Sequence, residues 1–224
     1  MEKGKLIVFE GASDGIGKST QIKLVRKKLE KDGSVIINHH FPTYGTYHGA
    51  PVEEYLSGRL GNIKELSPYF INSLYALDRA CAWHSKLKPL YESGKTLLFD
   101  RYTTSSLIYQ AAMIEDIEER KEFLDYVCDY EYNKLGIQKP DSVIFLYAPF
   151  DMVTEMRNNR IENDGIVNDL HERDIKFLKD AYDNAMFVAE YLSWDMIKCN
   201  DGDRLRSREE IHEEIYNLVR KRTK

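Results

Sequence analysis

An apolar run, Leu6-Ile7-Val8-Phe9, leads into Gly11-Ala12-Ser13-Asp14-Gly15-Ile16-Gly17-Lys18-Ser19-Thr20, and this stretch constrains the fold more than any other. A short buried strand that meets a glycine-rich turn and then a helical pattern over 18–31 is the opening of a βαβ unit. Glycines let successive backbone N–H groups converge on one point, and the N-terminus of the following helix adds its positive end. The pattern predicts a cradle for the phosphates of a nucleoside polyphosphate, with Lys18 reaching the outer phosphates and the Ser19 hydroxyl holding Mg²⁺. The spacing is irregular, since five residues separate Gly11 from Gly17 and Ala12 stands where the first glycine is expected. A glycine turn without a nucleotide is the plainer alternative, and the strand before it and the helix after it weigh against that.

Further β-rich runs at 34–40, 96–100, 142–147 and 195–199 join the first at 5–10. Helical patterns separate them at 18–31, 52–56, 68–92, 104–112, 118–134, 152–159, 170–192 and 208–220. The alternation predicts an α/β chain with a five-stranded, mostly parallel sheet covered on both faces. Asp32-Gly33 and Ser93-Gly94 read as helix stops, and Ser67 and Ser207 as helix caps. The polar segment 158–169, with Gly165 in its middle, reads as a lid loop or as a solvated connector. One domain, 1–224, with a lid over about 157–171, accommodates the whole pattern.

A formal net charge of −5 argues against general nucleic-acid binding and favours small phosphorylated partners gripped by local basic groups. Cys81, Cys128 and Cys199 lie far apart, and the six histidines do not cluster; His39 and His40 point to opposite faces if they end a strand. No His/Cys metal site is expected. No signal peptide is legible, and the longest apolar stretch, 143–150, is too short for a bilayer, so a cytoplasmic protein without membrane partners is expected.

Two more constellations carry chemistry. The strand 96–100 delivers Asp100 and Arg101 to the carboxyl edge of the sheet, where Asp100 can help hold Mg²⁺ through water and Arg101 can grip a phosphate. The bland reading is a surface Asp-Arg pair. Tyr75 and Arg79 share a helix face, suited to stacking on a nucleobase and donating to its exocyclic oxygen. Their bland reading is a core aromatic beside a solvated charge, with Asp78 as the partner of Arg79.

Together these residues resemble the thymidylate kinase family. The resemblance lies in Phe9-Glu10-Gly11 with Gly17-Lys18-Ser19-Thr20-Gln21, Phe41-Pro42, Tyr75-Ala76-Leu77-Asp78-Arg79, Asp100-Arg101-Tyr102 with Ser105 and Tyr109-Gln110, and Lys139-Pro140-Asp141. It implies a three-layer P-loop NTPase fold, a kinase transferring the ATP γ-phosphate to dTMP, Mg²⁺ as cofactor and a homodimer built on the helices over 51–92. By that resemblance Gly11, Asp14, Gly15, Ile16, Gly17, Lys18, Ser19 and Thr20 form the ATP site, with Ser19 and Asp100 on Mg²⁺. Arg101 would bind the acceptor phosphate, Tyr75 stack on thymine, Arg79 read its O4, Ser106 face N3, and Tyr109 pack under the sugar. Phe41, Pro42, Ser105 and Gln110 complete the dTMP site, and Asp14 would bond the 3′-hydroxyl if the extra residue near Ala12-Ser13 bulges before the cradle. The loop has no arginine, Gly15 standing where some members carry one; the family's alternative places catalytic arginines in the lid, where Arg157 and Arg160 stand. Adenine contacts would fall near 200–203. A deoxynucleoside kinase acting on thymidine and a non-catalytic P-loop nucleotide-binding protein are the competing classes. The absence of an Asn-Lys-x-Asp motif argues against a guanine-reading switch.

Overall fold

Six consecutive buried residues, Leu6–Gly11, form β1 at the centre of the sheet. In the computed structural model, which describes residues 3–61, 65–164 and 175–223, the other strands are β2 (Ile36–His40), β3 (Thr96–Asp100), β4 (Ser142–Tyr147) and β5 (Asp195–Lys198). Their order is β2-β3-β1-β4-β5 and every pairing is parallel, so the mixed character allowed by the sequence is absent from this sheet. The register sets Phe9 against Asp100 on one side of β1 and Gly11 against Leu146 on the other. The glycine loop and Asp100 therefore leave the sheet at the same edge.

Alternation along β1 decides what covers each face. Ile7 and Phe9 pack beneath Ile22, Val25 and Leu29 of α1 (Lys18–Lys31) and Ile215 and Val219 of α9 (Arg208–Arg222). Leu6 and Val8 pack with Trp83, Leu87 and Tyr91 on the opposite face. That face is built from α3 (Pro68–Ala82), α4 (Lys88–Glu92), α5 (Thr103–Tyr109), α6 (Ile117–Cys128) and α8 (Ile175–Tyr191). A shorter α2 (Ala50–Leu56) leans on α3, and α7 (Phe150–Asp164) follows β4.

Several helices depart from the sequence expectation. The single helix over 68–92 is interrupted by a π turn, Trp83–Leu87, and that over 118–134 ends in another, Asp129–Lys134. The segment 104–112 divides into α5 and a 3₁₀ turn, Ala111–Met113. The α7 backbone runs to Asp164, so the loop expected from residue 158 begins no earlier than 165; the remaining lid residues, 165–171, lie outside the described residues. A small antiparallel hairpin, β6 (Asn200–Asp201) and β7 (Arg204–Leu205), was not anticipated. Among the described residues no helix is long and apolar enough to cross a membrane.

Candidate active site at the carboxyl edge of the sheet

Just past β1, Ala12 N donates to Leu146 O at 2.9 Å, and the chain then turns through Ser13 to Gly17. Gly17 has φ +102°, a left-handed conformation that aims the chain into α1 and that a residue with a Cβ adopts only under strain. Side-chain acceptors cap α3, α6 and α9 through Ser67, Asp116 and Ser207, whereas α1 has neither a side-chain cap nor an acidic residue in its first turn. Its first N–H groups are thus left for an anion. Lys18 folds over the loop, with Nζ 3.3 Å from Asp14 Oδ1 and 3.5 Å from Ser13 O.

At the neighbouring strand end Ser19 Oγ donates to Asp100 Oδ2 at 2.8 Å, and His40 Nδ1 lies 3.5 Å from the same oxygen. Burial pushes the Asp100 carboxyl up, but His40, Lys18, Arg101 and the Ser19 bond outweigh it and bring its pKa down to about 2. Its Oδ1 is buried and has no hydrogen-bond partner among the described residues. His40 is exposed, while His39 points into the core against Phe41 and Phe99, where burial lowers its pKa to about 4. The pair does face opposite ways, and among the described residues no His/Cys/Asp/Glu cluster has the makings of a metal site.

Asp100 and Arg101 do not form the surface pair of the bland reading. Arg101, at φ +67°, turns away and donates through Nη2 to Asp14 and through Nη1 to Ser105 Oγ and Tyr109 OH at 3.5 and 3.4 Å. A residue held in the left-handed region stores local strain, here at the junction of strand and site. Burial opposes the Arg101 charge, but Asp14, Tyr109 and Glu10 favour it more strongly. Burial likewise pushes the Tyr109 phenol well up, so it stays a neutral donor and acceptor.

Asp14, Phe41, Pro42, Tyr75, Arg79, Arg101, Ser105, Ser106, Tyr109 and Gln110 all line one cavity, joined by Tyr44, Leu56, Tyr102 and Leu178. A second cavity lies across the loop, lined by Gly15, Ile16, Gly17 and Thr20 with Gln21, Met156, Cys199, Leu205, Arg206, Arg208 and Ile211. Two of its lining residues, Cys199 and Leu205, bracket the 200–203 segment in the chain. Gly15 is packed from above by α7: a Cβ on it would meet Arg157 Cα at 3.5 Å. The helix carrying Arg157 therefore occupies the space above the loop position that lacks an arginine. Arg157 is itself buried, and the Arg160 side chain lies outside the described residues.

The partner of Arg79 is not Asp78. Asp78 accepts from Thr43 N at 2.8 Å, from Thr43 Oγ1, and faces His48 Nδ1 at 2.6 Å, fastening the loop after Phe41-Pro42 to α3. Arg79 instead makes a fully buried, two-pronged bond to Glu131. Glu131 was invisible to sequence reading because 52 residues separate it from Arg79. Glu10 was also missed: with no exposure to solvent, it accepts from Thr104 Oγ1, Ser105 Oγ and Gly11 N at 2.9, 2.6 and 3.2 Å and lies 3.6 Å from Arg101 Nη1. Its signal was available, a lone charge ending a strand that is otherwise apolar.

The thymidylate kinase family model matches residues 9–215. A thymidylate kinase of Halothermothrix orenii is 33% identical over 97% of each chain, and a probable thymidylate kinase of Thermococcus gammatolerans is 32% identical over 96% of each. The structure of a thymidylate kinase from Candida albicans aligns with a TM-score of 0.72 at 19% identity, covering 99% of this chain and 94% of that one, a likeness of fold. With the family model spanning nearly the whole sequence and relatives matched end to end, the chain belongs to the thymidylate kinase family.

Proposed function

We propose that the protein transfers the γ-phosphate of ATP to dTMP, giving dTDP for dTTP synthesis. The observation that carries this reading is the pair of cavities on either side of one glycine loop. One is bordered by an uncapped helix N-terminus, and the other is lined by Arg101, Tyr75 and Arg79. The transfer asks for two anions held in line and for charge to be neutralised on the moving group. Lys18 and the N–H groups from Gly15 to Thr20 hold the donor phosphates; Arg101, braced by Glu10, holds the acceptor phosphate. Asp14 is shared between Lys18 and Arg101, and in this reading it turns to the acceptor sugar once phosphates engage those cations.

The residues fit Mg²⁺: Ser19 Oγ and the unpartnered Asp100 Oδ1 are hard oxygen donors beside the phosphate loop. When bound, the ion supplies neutralisation of phosphate oxygens. Tyr75 and Ser106 present a face and a polar edge to the thymine, and the bulk of Tyr109 under the sugar disfavours a ribose 2′-hydroxyl. Arg157, above Gly15, and Arg160 supply the arginine charge that the loop itself lacks.

The exposed Phe70 and Leu77 on one side of α3 support a homodimer through that helix, and three unpaired cysteines suit a cytoplasmic protein. The decisive assay incubates the protein with Mg-ATP and thymidine, dTMP, dUMP, dCMP or dGMP, following ADP and product. ADP formation driven by dTMP is expected. Turnover of thymidine alone, or silence across the panel, overturns the reading in favour of a nucleoside kinase or a binding protein.

A further inference from the structure

Arg79 is one of the largest side chains in the protein with almost no exposure to solvent, and its surroundings account for nearly all of its hydrogens. Nε and Nη2 each donate at 2.6 Å to the two oxygens of Glu131. Nη2 also donates to Ser106 Oγ at 2.8 Å and lies 3.4 Å from Asn72 Oδ1, and Nη1 donates to Tyr102 O at 3.3 Å. A guanidinium has five N–H groups, so one hydrogen on Nη1 is left without a partner among the described residues. Glu131 is held in turn, because Thr103 Oγ1 donates to its Oε2 at 2.9 Å and its side chain has no exposure to solvent.

Stability alone is a weak reason for such a pair, because a buried ion pair can often be exchanged for apolar residues at no cost. What the pair does secure is geometry: an arginine clamped on two edges cannot swing aside. It also lines the cavity that holds Tyr75, Ser106 and Gln110.

We propose that Glu131 is a positioning residue for base selection, clamping Arg79 so that a single fixed N–H meets the base and the site admits 4-oxo pyrimidines while refusing 4-amino ones. The inference rests on the reading of this cavity as the dTMP site. A fixed donor opposite the exocyclic amine of cytosine leaves two donors facing one another with no acceptor between them. Sites built this way discriminate far more strongly than those that sense a methyl group. A mobile arginine would retreat and tolerate both bases.

The test is steady-state kinetics of the wild type, Glu131→Gln and Thr103→Val with dTMP, dUMP and dCMP, with folding checked by circular dichroism. Replacing the carboxylate by an amide sets an NH₂ against the guanidinium and releases one edge of the clamp. KM for dTMP is expected to rise about 10-fold or more with a smaller change in kcat, and the kcat/KM preference for dTMP over dCMP to fall at least about 10-fold. If Glu131→Gln does not fold, Thr103→Val carries the test, since it removes one support of Glu131 at nearly constant shape; a severalfold loss of the same preference is expected. A folded Glu131→Gln protein with unchanged KM and unchanged preference, or one whose kcat falls equally for all acceptors, overturns the inference while leaving the dTMP reading in place. With Glu131→Gln unfolded, an unchanged preference in Thr103→Val does the same. A wild type that does not turn over dTMP overturns both.

Discussion

Replacing Asp100 by asparagine removes a charge without much change of shape, and the consequence for stability has a predictable dependence on pH. The carboxyl falls from an ordinary 3.8 to about 2 in the folded protein, burial being outweighed by His40, Lys18, Arg101 and Ser19. A folded pKa below the unfolded one means that the unfolded chain binds the proton more readily, so stability from this group is present above 3.8 and is lost as pH falls toward 2. At about 1.4 kcal/mol per tenfold change, the charge contributes about 2 kcal/mol near pH 6, and roughly half of that is gone near pH 3. The side chain is only 14% exposed, so solvent screening removes little of it. Urea unfolding of wild type and Asp100→Asn at several pH values reads this directly: the gap between them should shrink by about 1 kcal/mol from roughly pH 6 to roughly pH 3. A gap constant over that range, or one that widens in acid, refutes the argument that the neighbours hold Asp100 ionised.

Two other outcomes follow from the geometry. Arg101→Lys keeps a charge but loses the fork that spans Asp14, Ser105 and Tyr109, so kcat/KM for dTMP should fall by about 10² to 10³; a change under about threefold would show that a point charge suffices. The Arg157→Ala, Arg160→Ala double variant should lose on the order of 10³-fold in kcat, measured by coupled ADP release, and wild-type turnover would sink the assignment of catalytic charge to this segment.

The parts of the fold that were legible are those written in local pattern. Leu6 to Phe9 reads as a strand because four adjacent apolar residues meet a glycine turn, and every residue there is buried. Ser207 reads as a helix cap and forms a full capping box with Glu210. The π turns at Trp83 and Asp129 were not legible, since apolar spacing runs through them without a break. Residues 158–164 read as loop because three asparagines and an aspartate stand among them, types that favour turns over helix interiors, yet their backbone continues α7. The β6–β7 hairpin had a signal that went unused, the Gly202-Asp203 turn with Gly202 at φ +56°. Of the candidate site, the cavity lining was legible from motifs, and Glu10 had a local signal as the lone charge ending an apolar strand, but Glu131 had none. Its importance comes from touching Arg79, and a contact that distant leaves no trace in local spacing.

The position of β1 between β3 and β4 also fixes when the site can exist during synthesis. The glycine loop and Lys18 leave the ribosome early, but Gly11 is paired with Leu146 and Phe9 with Asp100, so the edge that presents the loop is complete only after β4 has emerged. Pairings this distant in sequence form late, after the entropy of closing the intervening chain has been overcome. A nascent chain shorter than β4 thus carries the whole phosphate-binding signature and none of its rigidity. Nucleotide binding then reports on completed synthesis of the sheet rather than on the presence of its first helix.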